Sequence, residues 1–328
     1  MDEIDGSNRR FVQRNRTFLA SVLVGVGVLV ISISVLRPTN TQGAAARVEE
    51  LRWADRKTAE AIIADLAKLS RPGLAKLAQF IKDDNPNVQR GVAIALANAA
   101  SLNVETAKEL QPGLHDSAVS VREYCARAIG KSEWKGPEVA ALMAKLFVDP
   151  SLDVRNAAVL ALGEQGESAR PYVPLLNEKM CDEWWGCGKA AAAACRKLGK
   201  VAAGAERGLG QLINLRSGLY DPDEAIEALA ALQTPEALNE LIDEVRDHLG
   251  PPGSRNADRA EHACRAIAKF GSEGRPAMWI LKRAYLAGKD SAASDLNYDS
   301  GYGAAAREAI LAVDPAEAKA IGIKPKQE

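Results

Sequence analysis

Apolar residues in this chain recur at helical spacing over most of its length. Val48, Leu51, Ala59, Ile62, Ile63 and Leu66 lie near one side of a segment with charges between them, which predicts one helix over Ala46–Leu69. Pro72-Gly73 punctuates it. Beyond that point the pattern predicts helices in consecutive pairs: Leu74–Lys82 with Asn87–Ala99, Val104–Leu114 with Val119–Gly130, Glu138–Phe147 with Leu152–Gly163, and Ala169–Lys179 with Gly186–Leu198. Later pairs are less regular but still alternate: Val201–Leu215 with Pro222–Leu232, Pro235–Leu249 with Asp258–Phe270, and Arg275–Ala287 with Ala304–Val313. Asp221 can cap the helix that Pro222 opens. An insertion at 288–303 divides the last pair, Pro315–Ile321 reads as a short cap, and 323–328 as a disordered tail.

The second helix of each early pair carries a motif with a 33-residue period. Asp83, Asp116, Asp149 and Asp182 mark it, each followed five residues later by Val88, Val121, Val154 or Cys187. Gln89, Arg122 and Arg155 follow the first three aspartates by six, and the runs CARAIG (125–130) and AVLALG (158–163) close two of the helices. A fixed period of this length in Ala/Leu-rich helical units predicts an all-α fold, an α-solenoid of stacked antiparallel helix pairs. Each Asp can accept hydrogen bonds from exposed amides at the start of the second helix. Arg122 and Arg155 can bridge to a carboxylate of the next repeat, and Ala95, Ala128, Ala161 and Ala194 let helices approach closely.

These motifs resemble HEAT repeats, in particular the HEAT-like repeats named after phycobilisome lyases. The resemblance rests on Asp-x4-Val-Arg at 116–122 and 149–155 and on the Ala-Ile-Gly and Ala-Leu-Gly endings at 128–130 and 161–163. It spans about 85–290 and is strongest over 83–199. It implies an architecture, and hardly constrains function.

The N-terminal pattern differs. Phe18–Leu36 is 19 residues without a charge, about the length that crosses a bilayer as a helix. It exceeds the apolar core of a signal peptide, so a retained anchor is expected. Arg9, Arg10, Arg14 and Arg16 precede it, with only Arg37 and Arg47 close behind. That asymmetry predicts a single-pass membrane protein with residues 1–17 in the cytoplasm, a transmembrane helix at 18–36, a linker at 37–45 and an extracytoplasmic solenoid at 46–322.

Composition narrows the function classes. Aromatic residues are only 5% of the chain, which suits thin, closely packed helices, and the net charge is −1. That balance gives no electrostatic footprint for nucleic acid, and none is expected as a partner. Arg127, Lys131 and Lys135 read as a solvated face. Cys125, Cys187 and Cys195 fall at core positions of the repeat and read as small buried hydrophobes, while a Cys181–Cys187 disulfide across the turn is the sharper alternative. No Cys-x2-Cys pair exists, and His115, His248 and His262 are far apart, so no metal site is expected. Iron-dependent hydroxylases built on HEAT repeats depend on repeated His-Glu pairs; here only Glu261-His262 are adjacent, once and reversed. Asp295, Asn297 and Asp299 resemble the start of a calcium loop, but Ser300 and Ala306 occupy its sixth and twelfth positions, so a polar turn is the better reading. No phosphate-loop or nucleophile-elbow pattern occurs, and no cofactor is expected.

Two features read as protein contacts. Trp184 and Trp185 occupy the turn of the fourth repeat, although packing against helix ends would explain them as well. Tyr298 and Tyr302 lie in the 288–303 insertion, and long loops on repeat arrays often carry binding residues. The expectation is a non-enzymatic, membrane-anchored scaffold that binds a protein partner through the groove lined by second helices. The phycobilisome-lyase likeness suggests as alternative a lyase-like or chaperone-type protein acting on a tetrapyrrole or modified partner.

Overall fold

The computed structural model describes residues 41–180, 186–214, 222–249, 255–292 and 301–324, and all regular structure among them is helical. The helices form two layers. First helices are α1 (Thr41–Leu51), α3 (Arg71–Ala78), α5 (Val104–Glu109), α7 (Pro137–Lys145), α9 (Val173–Met180), α11 (Glu206–Asn214), α13 (Pro235–His248) and α15 (Met278–Ala292). Second helices are α2 (Arg56–Leu66), α4 (Pro86–Asn98), α6 (Val119–Lys131), α8 (Leu152–Gly163), α10 (Gly188–Leu198), α12 (Pro222–Leu232), α14 (Arg255–Ala268) and α16 (Gly301–Val313). A short α17 (Pro315–Ala320) follows. Every second helix packs on the next, in an unbroken series from α2 to α16. First helices stack less continuously, and α7 meets its successor through the 3-10 segment Gly166–Tyr172.

Local chemistry explains where these helices begin. The Asn85 side chain accepts from the amides of Asn87 and Val88, and Pro86 takes the first helical position of α4. Asn103 caps α5 through the Thr106 amide and Thr234 caps α13 through Ala237. Early first helices end in a 3-10 turn, at Gln79–Lys82, Gln111–His115 and Leu146–Val148, just before the repeated aspartate. Between the layers lies one apolar core that includes Leu114, Ile129, Phe147, Leu162 and Leu176.

The sequence pattern predicted one helix over Ala46–Leu69, whereas the structure contains two. Asp55 stops the first and starts the second: its side chain accepts from the Thr58 amide at 2.8 Å and opens α2. The chain therefore makes one more helix pair, α1 with α2, at the start of the array. Helix α1 also begins at Thr41, inside the stretch expected to be linker.

The expected single-pass membrane localisation is contradicted. Among the described residues no helix is long and apolar enough to cross a membrane. The longest of them, α15, has 15 residues, roughly 22 Å against a hydrocarbon thickness of about 30 Å, and carries Lys282 and Arg283. Phe18–Leu36, on which that expectation rested, lies outside the described residues.

Among the described glycines, the closest approaches to a neighbouring backbone lie within the second layer. A Cβ on Gly130 would sit 2.4 Å from Ala161 Cβ and 2.8 Å from its Cα; one on Gly163 would sit 2.9 Å from Ala194 Cα. Backbone cannot yield as a flexible side chain can, so α6, α8 and α10 require glycine facing alanine at both crossings. Gly130→Ala should therefore destabilise the protein. Overpacking costs about 1–3 kcal/mol and exceeds the gain of up to about 1 kcal/mol in helix propensity. Thermal melting of the full chain should show a lower midpoint; an unchanged or higher midpoint would mean the crossing is looser than described.

Candidate functional site

The repeated aspartates build a ladder along the turns that join first to second helices. Each uses one carboxylate oxygen to hold its own turn: Asp83 accepts from the Asn85 amide at 2.9 Å, Asp116 from Ala118 at 2.8 Å and Asp149 from Ser151 at 2.9 Å. These amides belong to the residue just before the helix, not to the helix itself. Residues at the start of one second helix then reach forward to the next repeat's aspartate. Arg122 grips Asp149 with two bonds, Nε to Oδ2 at 2.8 Å and Nη2 to Oδ1 at 3.0 Å. Its remaining nitrogen donates to the Asp116 carbonyl at 2.9 Å. Gln89 reaches Asp116 more weakly at 3.4 Å. At the head of the series Arg52 grips Asp83 at 2.6 and 3.0 Å. Arg155 donates to the carbonyls of Asp149 and Pro150; Asp182 lies outside the described residues.

Electrostatics at Asp149 follow from this geometry. Burial alone would raise its pKa, but hydrogen bonds from Arg122 and the Ser151 amide, with the charges of Arg122 and Arg155, outweigh it and hold the carboxyl below its ordinary value. Arg122 is correspondingly raised, chiefly by its bonds to Asp149. The ladder is structural: these carboxylates are consumed in holding turns and neighbouring repeats.

Elsewhere the residues that bear chemistry are dispersed. Cys125, Cys187, Cys195 and Cys264 are buried. Burial pushes the Cys195 and Cys264 thiols up to about 12, which suppresses the thiolate needed for nucleophilic work. The Cys181–Cys187 pairing involves Cys181, outside the described residues. His248 lies against Glu244, and His262 against Asp223 at 2.5 Å. Among the described residues no group of three or more His, Cys, Asp or Glu side chains is placed to hold a metal.

Of the residues expected to touch a partner, Trp184, Trp185 and Tyr298 lie outside the described residues, as does the Asp295–Asp299 turn. Tyr302 is 3% exposed. It packs in the core at the start of α16 and offers no surface. Sequence reasoning expected a groove lined by second helices without naming its residues; the structure has one of about 510 Å³ across α6, α8 and α10. Its floor is Gly130, Ala157, Leu160, Ala161, Ala193 and Ala194, and its rim carries Arg127, Lys131, Arg196, Lys197 and Glu164. Leu160, 43% exposed, is its one large apolar side chain. In sequence Leu160 is embedded in AVLALG, where nothing separates it from the buried residues on either side. A second groove of about 670 Å³ opens between α2 and α4, over Leu51, Ile63, Gly91 and Ile94.

Comparison with known proteins agrees with this architecture. The family model for HEAT repeats matches residues 107–178, the stretch that runs from α5 to α9. Over that stretch the chain matches HEAT repeats, and the same two-layer stacking of helix pairs continues through the rest of the described array. An engineered protein of known structure is similar to the HEAT-like array at 20% identity and a TM-score of 0.52, covering 85% of this chain and 76% of its own. Human deoxyhypusine hydroxylase in complex with glycerol (19% identity, 87% and 99% covered, TM-score 0.33) and a designed armadillo repeat protein (18%, 82% and 99%, TM-score 0.30) also match. Identities this low speak to fold alone, and the last two superpose too loosely to carry an argument. No curated protein sequence matches the chain.

Asp149→Ala should test the ladder of this HEAT-like array. Asp149 and Arg122 side chains are 8% and 11% exposed, so removing the carboxylate strands a largely buried guanidinium, at a cost of about 3 kcal/mol at neutral pH. The depressed pKa of Asp149 fixes the sign with pH: its stabilisation is present above the ordinary carboxylate range, about 3.9, and is lost as pH falls through the lower folded value. The stability gap between wild type and variant should therefore narrow below about pH 4. Chemical denaturation at both ends of that range checks it, and a gap independent of pH would contradict the pairing.

Proposed function

We propose that this chain is a non-catalytic scaffold that binds a protein partner on the solvent face of its second helices. What supports the reading is the contrast between two halves of that face. From α10 onward it is occupied by polar pairs that cross between helices: the ion pairs Arg196 with Glu224 at 2.8 Å and Lys269 with Glu227, and a hydrogen bond between His262 and Asp223 at 2.5 Å. Over α6, α8 and α10 one such pair, Lys197 with Glu164, crosses the face, and beside it the face opens into a groove that includes a half-exposed leucine. Exposed apolar surface ringed by polar groups is the form that interaction sites take on soluble domains, and helical repeats expose such faces as extended binding surfaces. The dispersal of cysteines and histidines supports a binding role over a catalytic one. No observation in the site favours the lyase-like or chaperone-type alternative.

Leu160→Asp probes this directly. A half-exposed side chain contributes little to the core, so stability should change by no more than about 0.5 kcal/mol. Loss of a central contact should weaken partner binding by about 2 kcal/mol, roughly thirtyfold. Quantitative affinity capture with the full wild-type and variant chains, melting measured alongside, makes the comparison. Equal retention of the same proteins by both would sink the reading.

A further inference from the structure

We infer that the segment seated in the α6–α8–α10 groove is an acidic stretch of a protein partner built around one large apolar side chain. The inference rests on the scaffold reading above and adds the chemistry of the ligand.

The floor sets the apolar element. Gly130, Ala161 and Ala194 carry no side chain beyond Cβ, because the helix crossings beneath them leave no space for one. They form a shallow trough in which only Leu160 offers a large apolar contact. A single large apolar side chain from the partner would cover Leu160 and remove both surfaces from water.

The rim sets the charge. Four cations, Arg127, Lys131, Arg196 and Lys197, line the groove against one carboxylate, Glu164. Lys135 joins them by donating to the Gly130 carbonyl. Two further carboxylates approach from outside the lining, Glu123 beside Arg127 at 2.9 Å and Glu224 beside Arg196 at 2.8 Å. Cations still outnumber carboxylates five to three. The pairs involving Arg127, Arg196 and Lys197 leave the cation about half exposed. Exposed pairs of this kind hold by only about 0–1 kcal/mol and exchange readily for a partner's carboxylate. Partial burial holds the Lys135 pKa below its usual value; Glu164 opposes that shift, and Lys197 adds a smaller repulsion. An incoming carboxylate meets these half-exposed cations, whereas a basic segment is repelled by them.

The same charge could attract nucleic acid, but the lining argues against it. No aromatic side chain is present to stack on a base. The nearby Tyr124 ring is already covered by Arg127, 5.5 Å from its centroid. The α2–α4 groove is the weaker candidate, since its lining carries only Arg56, Arg90 and Glu60 as charges, and Arg56 already pairs with Glu60.

The test is a peptide library displayed on phage, selected on the full chain, with clones that still bind Leu160→Asp removed. Enriched sequences should place three or more Asp or Glu residues around one Leu, Ile or Phe. A synthetic peptide of that consensus should bind wild type about tenfold more tightly than Lys131→Gln/Lys197→Gln, and more weakly as salt rises. Lys145→Glu, on α7 in the other layer, should bind like wild type. Arg127→Gln/Arg196→Gln, with its melting midpoint compared to wild type, stands in if the lysine pair fails to fold. Enrichment of neutral or basic sequences would overturn the charge assignment while leaving the scaffold reading intact. Absence of any Leu160-dependent binder would overturn both. Binding of a labelled oligothymidine with the same dependence on Leu160 and the two lysines would replace the protein segment with nucleic acid.

Discussion

Close approach of glycine and alanine between consecutive second helices is the constraint on which the rest of the array depends. Gly130 faces Ala161, and Gly163 faces Ala194, at separations that admit no further carbon. Three consequences follow. The spacing of α6, α8 and α10 is set by backbone contact and not by adaptable side chains, which makes this part of the stack stiff. The turns ahead of those helices come close enough for Arg122 to reach Asp149 with two bonds. The outer face above the crossings is left without bulky side chains, and there the groove opens.

The two halves of the second-helix face solve one physical problem differently. Parallel stacking brings the exposed edges of neighbouring helices together, and their charges must be paired or solvated. In the later repeats α12 lies between α10 and α14, so that Glu224 and Glu227 find the cations Arg196 and Lys269 on either side and Asp223 bonds to His262. In the earlier ones the excess is cationic, and the apolar floor remains in contact with water. A partner that brings both an apolar side chain and carboxylates satisfies what the fold leaves open.

Much of the architecture was legible in the sequence because each repeat uses the same residues for the same task. The interval from Asp116 to Asp149 marks successive turns, and the predicted Leu152–Gly163 and Pro222–Leu232 coincide with α8 and α12. Periodicity failed at Ala46–Leu69, where apolar spacing runs across a break made by the Asp55 cap. A groove on the second helices was expected, but its residues were not legible. Leu160 differs from its buried neighbours only in which way it faces, and Arg127, Lys131 and Lys135 read as an ordinary solvated surface until α8 and α10 are seen to place Leu160, Lys197 and Arg196 beside them. Tyr302 erred in the other direction: an aromatic beside a polar insertion suggests a contact residue, yet α16 begins at Gly301 and turns the ring into the core.

Tight packing makes the second-helix layer the rigid frame that carries the proposed binding face. Hydrogen–deuterium exchange on the full chain tests it most directly, because amides open according to local stability. The slowest exchange should lie along α6, α8 and α10, with α5 and α7 exchanging sooner, since each is shorter and ends in a 3-10 turn. Equal protection of the two layers, or slower exchange in α5 and α7 than in α6 and α8, would contradict the account.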